Sequence, residues 1–133
     1  MTMETRAFNP TPWLGAFNLN HAIEVSGVQR TLYLSGQTAT TAEGVAMHPG
    51  DLVAQFQAAW DNVKDALVAA GMAPTNIVRL NMYTTDVDAF MAAAGDLVPI
   101  FAGDGVRPVS TLLGVSRLYD PAILIELEAT AVA

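Results

Sequence analysis

Hydrophobic periodicity is strongest between Asp51 and Ala70, where Leu52, Phe56, Ala59, Trp60, Val63 and Leu67 recur at the i, i+3, i+4, i+7 spacing of one helical face. Gly71 stands where a helix commonly ends in left-handed backbone, so the pattern predicts an amphipathic helix of about five turns. Trp60 and Phe56 fall on its stripe and read as core. From Asn76 to Thr85 the period changes to two: Ile77 and then Val78, Leu80 and Met82 take one side, Arg79, Asn81 and Tyr83 the other, which predicts a strand. Asp86 or Asp88 can cap a second helix running to about Phe101, with Phe90, Leu97, Val98 and Phe101 buried and Pro99 bending or ending its last turn.

The flanking segments are weaker. Residues 1–16, with Pro10, Pro12 and Gly15, read as an irregular lead-in. Phe17 to Val25 is weakly extended, and Arg30 to Ser35 alternates more clearly; with Ser26-Gly27 between them they suggest a hairpin. Gly36 to Gly50 reads as a long loop. Two extended runs, Val109 to Leu118 and Ala122 to Val132, close the chain around Tyr119-Asp120-Pro121. The order is β-β-α-β-α-β-β, an α+β single domain over 1–133 with two helices on one face of a mixed sheet.

The last strand carries chemistry. Ile123, Ile125, Leu127, Ala129 and Ala131 point one way and Leu124, Glu126, Glu128 and Thr130 the other. If the apolar set packs on the helices, the two carboxylates share the opposite face with Arg79 and Tyr83, or with Tyr33. Two acids there demand water, a cation or a ligand.

Composition narrows the classes. Hydrophobic residues make up 52% and charged residues 14% of the 133, against about 25% charged in an average soluble protein, which points to a surface partly hidden by self-association. A net charge of -7 repels phosphodiester backbones and anionic lipid, so neither nucleic acid nor a membrane is an expected partner. The absence of cysteine excludes thiol nucleophiles and thiolate metal sites. His21 and His48, 27 positions apart, form no metal-ligand motif, and no metal is expected. Met1 to Pro12 lacks the apolar core of a signal peptide, and no apolar run approaches membrane-span length, so the protein reads as cytoplasmic. Gly103-Asp-Gly105 has no lysine and no following helix, and is a turn rather than a phosphate cradle.

Several blocks in order, Gly15-Ala-Phe17, Leu34-Ser-Gly-Gln37, Gln55 through Trp60-Asp-Asn-Val-Lys64, Leu67 through Ala-Ala-Gly71, Asn76-Ile-Val78, Thr85-Asp86 and Ile125-Glu-Leu-Glu-Ala129, resemble the RidA/YjgF family, also called the endoribonuclease L-PSP family. The resemblance implies a chorismate-mutase-like fold, a homotrimer with small-molecule clefts at its subunit interfaces, no cofactor, and hydrolysis of enamines and imines to 2-oxo acids and ammonia. It implies that Glu126 positions or activates the attacking water, and that Ser35, Gly36 and Gln37 form a strand-end motif at the substrate. The family's Pro-Ala-Arg-Ser segment lies over Pro108-Val-Ser-Thr111, so Ser110 and Thr111 fall at the cleft and Ser110 takes the place of the carboxylate-anchoring arginine. Phe17 stands where the family has tyrosine, and Ala94 where it has a cleft asparagine.

Alternatives accompany these positions. Arg107, three residues before Ser110, is either a displaced guanidinium that orients substrate or an exposed loop arginine. Glu126 is either a water-positioning base or a structural acid paired with Arg79 or Arg117. The protein is a hydrolase of the 2-iminobutanoate/2-iminopropanoate deaminase kind, or a trimer of the same fold that binds or senses a small metabolite without turnover. The ribonuclease activity in the family name is disfavoured by the net charge and by the lack of a basic stripe.

Overall fold

The computed structural model describes residues 2–133. Its four-stranded sheet is formed by β3 (Thr31–Tyr33), β4 (Ile77–Thr84), β5 (Leu112–Gly114) and β6 (Ile125–Val132), in the spatial order β3-β6-β4-β5. β6 runs antiparallel to both neighbours, and β4 pairs parallel with β5, which makes the sheet mixed. Two helices, α1 (Leu52–Ala69) and α2 (Val87–Ala102), supply the aromatic core. Phe56, Trp60 and Leu67 of α1 and Phe90, Leu97 and Phe101 of α2 pack in one cluster with Leu80 and Met82 of β4 and Ile125, Leu127, Ala129 and Ala131 of β6.

Local chemistry accounts for the helix ends. Asp51 accepts from Ala54 N at 3.1 Å and Asp86 from Ala89 N at 2.9 Å, so each helix begins on a carboxylate cap. Gly71 takes φ +71°, the left-handed stop its position predicted. Pro99 lies inside α2, which runs three residues further to Ala102. A register shift between Ile77 and Arg79 lets Ile77, Leu80 and Met82 all face the helices, while Val78 stays half-buried.

Three expectations are corrected. The lead-in is not irregular throughout: Glu4–Phe8 form β1, paired in register with β2 (Ala22–Ser26), and a single 3-10 turn covers Trp13–Phe17. Phe17 therefore ends that turn rather than opening a strand. Every β1 residue is exposed, so ladder hydrogen bonds hold it and no burial pattern marks it. The expected hairpin between the second and third extended segments does not form. The amides of Gln29 and Arg30 both donate to Ala133 O, at 2.9 and 2.8 Å, and β3 lies beside β6 instead. Finally, the two C-terminal runs are shorter strands than predicted, because Val109 reaches β4 only through a bridge to Arg79 and residues 122–124 are held by α1.

That last contact was invisible in the sequence. Gln55 lies on the apolar side of α1 and is fully buried. Its amide nitrogen donates to Met47 O and His48 O, both at 3.2 Å, and to Ala122 O at 2.7 Å, while its oxygen accepts from Leu124 N at 2.8 Å. One side chain thus ties the loop before α1 to the start of β6 and sets where the acids of β6 fall. No helix among the described residues is long and apolar enough to cross a membrane.

Candidate functional site

The alternation on β6 sorts as the residues predict. Ile125, Leu127, Ala129 and Ala131 are buried under the helices, and Glu126, Glu128 and Thr130 occupy the other face, half-buried. Tyr83 of β4 lies opposite Glu126, and Asn81 opposite Glu128. The Tyr83 hydroxyl donates diagonally to Glu128 Oε1 at 2.9 Å, and Asn81 Nδ2 donates to the same oxygen at 3.4 Å. The Asn81 side-chain oxygen accepts from Thr111 N at 3.1 Å. The hydrogen bond to Glu128, together with burial, raises the Tyr83 phenol above its ordinary value.

Glu126 differs from its neighbour. Among the described residues no ion pair or side-chain hydrogen bond engages its carboxylate, and burial, followed by the charge of Glu128, raises its pKa. Neither expected structural partner reaches it. Arg79 lies further along opposite Thr130, and Arg117 Nε donates to Leu118 O at 3.2 Å. The chain after β3 presses against Glu126 at Gly36, where a Cβ would stand 2.6 Å from Glu126 Cδ. Gln37 and Leu127 exchange backbone hydrogen bonds of 2.7 and 2.9 Å, and the Gln37 side chain donates to Ser35 O at 3.2 Å. The Ser35-Gly36-Gln37 segment therefore runs alongside Glu126.

Phe17, Ser110 and Thr111 gather elsewhere. They line a cavity of about 400 Å³ between the Trp13–Phe17 turn, α2 and the β4–β5 edge, whose other walls include Trp13, Met82 and Met91. Trp13 stands edge-on to Phe17 with ring centroids 6.2 Å apart. The Ser110 hydroxyl is spent on Leu80 O. Arg107 lines neither place: its Nε donates to Leu19 O at 3.3 Å and its backbone oxygen accepts from Asn20 Nδ2 at 2.7 Å, strapping the exit of the 3-10 turn to the approach of β5. Arg107 and Glu126 form no ion pair within the chain.

The positions picked out in the sequence thus divide into an acid-bearing sheet face and an apolar cavity, with Arg107 outside both. Met91 of the cavity wall and the Tyr83–Glu128 hydrogen bond are additions. Tyr83 was marked by alternation, whereas nothing local marks Met91. Among the described residues no three His, Cys, Asp or Glu side chains cluster as metal ligands.

The sequence model of one family, endoribonuclease L-PSP, matches residues 14–133, nearly the whole chain. The protein belongs to the endoribonuclease L-PSP family. Among solved members, the crystal structure of YyfB from Yersinia pestis, of the conserved Rid protein family, is 34% identical with a TM-score of 0.85, over 97% of this chain and 98% of that one. The YjgF gene product of E. coli is 26% identical with a TM-score of 0.69, over 87% and 94% of the two chains. A goat (Capra hircus) 2-iminobutanoate/2-iminopropanoate deaminase is 34% identical over 65 residues, 49% of this chain and 47% of that protein. The Rid-type α+β fold anticipated from the motifs is the fold of this L-PSP member.

Proposed function

We propose that this L-PSP family protein assembles as a homotrimer and hydrolyses an imine or enamine in clefts at its subunit seams, with Glu126 of one subunit positioning the water. The observation that carries this reading is the division just described. One chain offers a half-buried carboxylate with free oxygens and, apart from it, a cavity whose lining holds no acidic, basic or imidazole side chain among the described residues. Each half lacks what the other holds, and packing the sheet face of one copy against the cavity of another supplies both. Water would add to the carbon of the C=N bond while Glu126, its pKa shifted toward neutrality, takes the water proton. Glu126 returns that proton to nitrogen to give a carbinolamine, and transfer of its hydroxyl proton to nitrogen as the C–N bond breaks releases ammonia and leaves the carbonyl. Partial similarity to the goat deaminase supports the reaction class.

The basic residues support a small-molecule ligand over RNA. Of six, Arg6 pairs with Glu24 at 3.7 Å, Lys64 with Asp104 at 3.2 Å, and Arg30 donates to Ala70 O at 2.6 Å. The test is ammonia release from freshly generated imines by a protein that sediments as a trimer. Glu126→Ala should abolish release. Undiminished release in that variant, or a monomer in solution, ends the proposal.

A second reading is favoured by one observation, that Arg107 is absent from the cavity lining, its Nε donating to Leu19 O. Without a cation at the cavity to orient a carboxylate-bearing substrate, the trimer would bind a metabolite without turning it over. Thermal stabilisation by a ligand with no ammonia release distinguishes this reading.

A further inference from the structure

The cavity makes a statement about ligand class that the fold alone does not. Its walls are aromatic and aliphatic, with Trp13, Phe17, Met82, Met91 and Phe101 among them, and among the described residues Ser110 and Thr111 are the hydroxyl-bearing positions of the lining. Both have their hydrogens engaged in part by the protein. The Ser110 hydroxyl donates to Leu80 O, and the Thr111 amide donates to Asn81 Oδ1 at 3.1 Å. Among the described residues no charged side chain lines it; Arg107 lies outside the lining, its Nε donating to Leu19 O.

An anion entering this space would leave its hydration shell without meeting a cation, which is strongly unfavourable, whereas an uncharged ring would exchange water for apolar contact. On the seam geometry proposed above, a neighbouring copy would add the Glu126 carboxylate, a like charge, to the approach of any anion. The volume of about 400 Å³ lies in the range of pockets that enclose whole small ligands, so a ring with a short substituent fits. In the single chain Trp13 is 62% exposed and Met91 46%, so the rim on which a neighbouring copy would close is built from large apolar side chains.

We infer that the cavity selects an uncharged, ring-bearing or branched-alkyl ligand and discriminates against carboxylates. This inference rests on the cleft reading above for its link to function and for the added carboxylate at the mouth, while the lining of the cavity carries the preference within one chain.

The experiment uses benzamide and benzoate, matched in size and different in charge, titrated into the full-length protein at moderate salt so that the overall net charge is screened. Binding is followed by tryptophan emission and by calorimetry. Trp13 lines the cavity and Trp60 is fully buried on α1, so Trp13→Ala identifies which ring gives the response. Benzamide should bind and shift the emission, with benzoate weaker by about tenfold or more, roughly 1.4 kcal/mol. Trp13→Ala, at an exposed site, should remove the emission response and weaken benzamide in calorimetry. Equal or tighter benzoate binding, a benzoate affinity that falls in Arg107→Gln, or no binding of either probe overturns the inference. Neither probe is hydrolysed as an imine, so these outcomes are read apart from ammonia release and oligomeric state.

Discussion

Gly36→Ala separates the position of the Glu126 carboxylate from its presence. The backbone at Gly36 is not left-handed, so alanine is sterically admissible there, and the three atoms nearest the added methyl all belong to the Glu126 side chain. Glu126 Cδ would lie 2.6 Å from the new carbon, Oε2 2.7 Å and Cγ 2.8 Å. The first distance falls short of the 3.4 Å of ordinary contact by about 0.8 Å, so the end of Glu126 must swing aside by nearly an ångström. Because the obstruction is a flexible side chain, the fold should give little. Removing a glycine from the unfolded chain adds about 0.4–1 kcal/mol, which offsets the rotamer change, and stability in urea should stay within about 1 kcal/mol of the parent. Catalysis is far less tolerant. A misplacement near 1 Å of a group that must contact the attacking water costs on the order of a hundredfold. Urea unfolding and the rate of ammonia release, measured on the same preparation, give the two numbers. Parent-level turnover would show that the place of the Glu126 carboxylate does not matter, and a loss of several kcal/mol would show that Glu126 is wedged rather than free.

Three further outcomes follow from the same geometry. Glu126→Gln should stabilise the protein at neutral pH, because a raised folded-state pKa means that ionising Glu126 works against folding. The gain should build as pH rises through and above the ordinary value of 4.5 and vanish below it, as thermal melts across pH would record. Gln55→Leu should lower stability in urea by about 2–4 kcal/mol, since it strands the Leu124 amide and the Ala122 carbonyl in the interior; a loss under about 1 kcal/mol would mean that water takes over those bonds. Trp60 Nε1 donates to Asp104 at 2.7 Å and, ahead of Lys64, holds that carboxyl below its ordinary value, so part of the stability disappears as pH falls through the depressed folded-state value. Trp60→Phe should cost about 1–2 kcal/mol at neutral pH, with a smaller difference at strongly acidic pH; a pH-independent difference would contradict the assignment.

What the amino-acid order determined by itself is what short-range periodicity can carry. The stripe from Leu52 to Leu67, the Asp51 and Asp86 caps, the alternation of β4 and the two faces of β6 are properties of neighbouring residues, and burial follows them directly. The motifs from Gly15 to Ala129 likewise named the family without reference to any contact. Tertiary structure decided the rest, because those features depend on which distant segments meet. β1 is exposed at every position, so only its pairing with β2 reveals it. The destination of β3 was set by Ala133, some hundred residues away in the chain. Gln55 opens one of the motif blocks, but its burial shows only in the folded chain, which brings four backbone groups around it. Whether Arg107 could face Glu126 turned on the carbonyl of Leu19, and the parting of the cavity from the acid face turned on which side of one sheet each strand presents. A side chain's nearest neighbours in sequence state which way it points, and only the assembled sheet and helices state what it meets there.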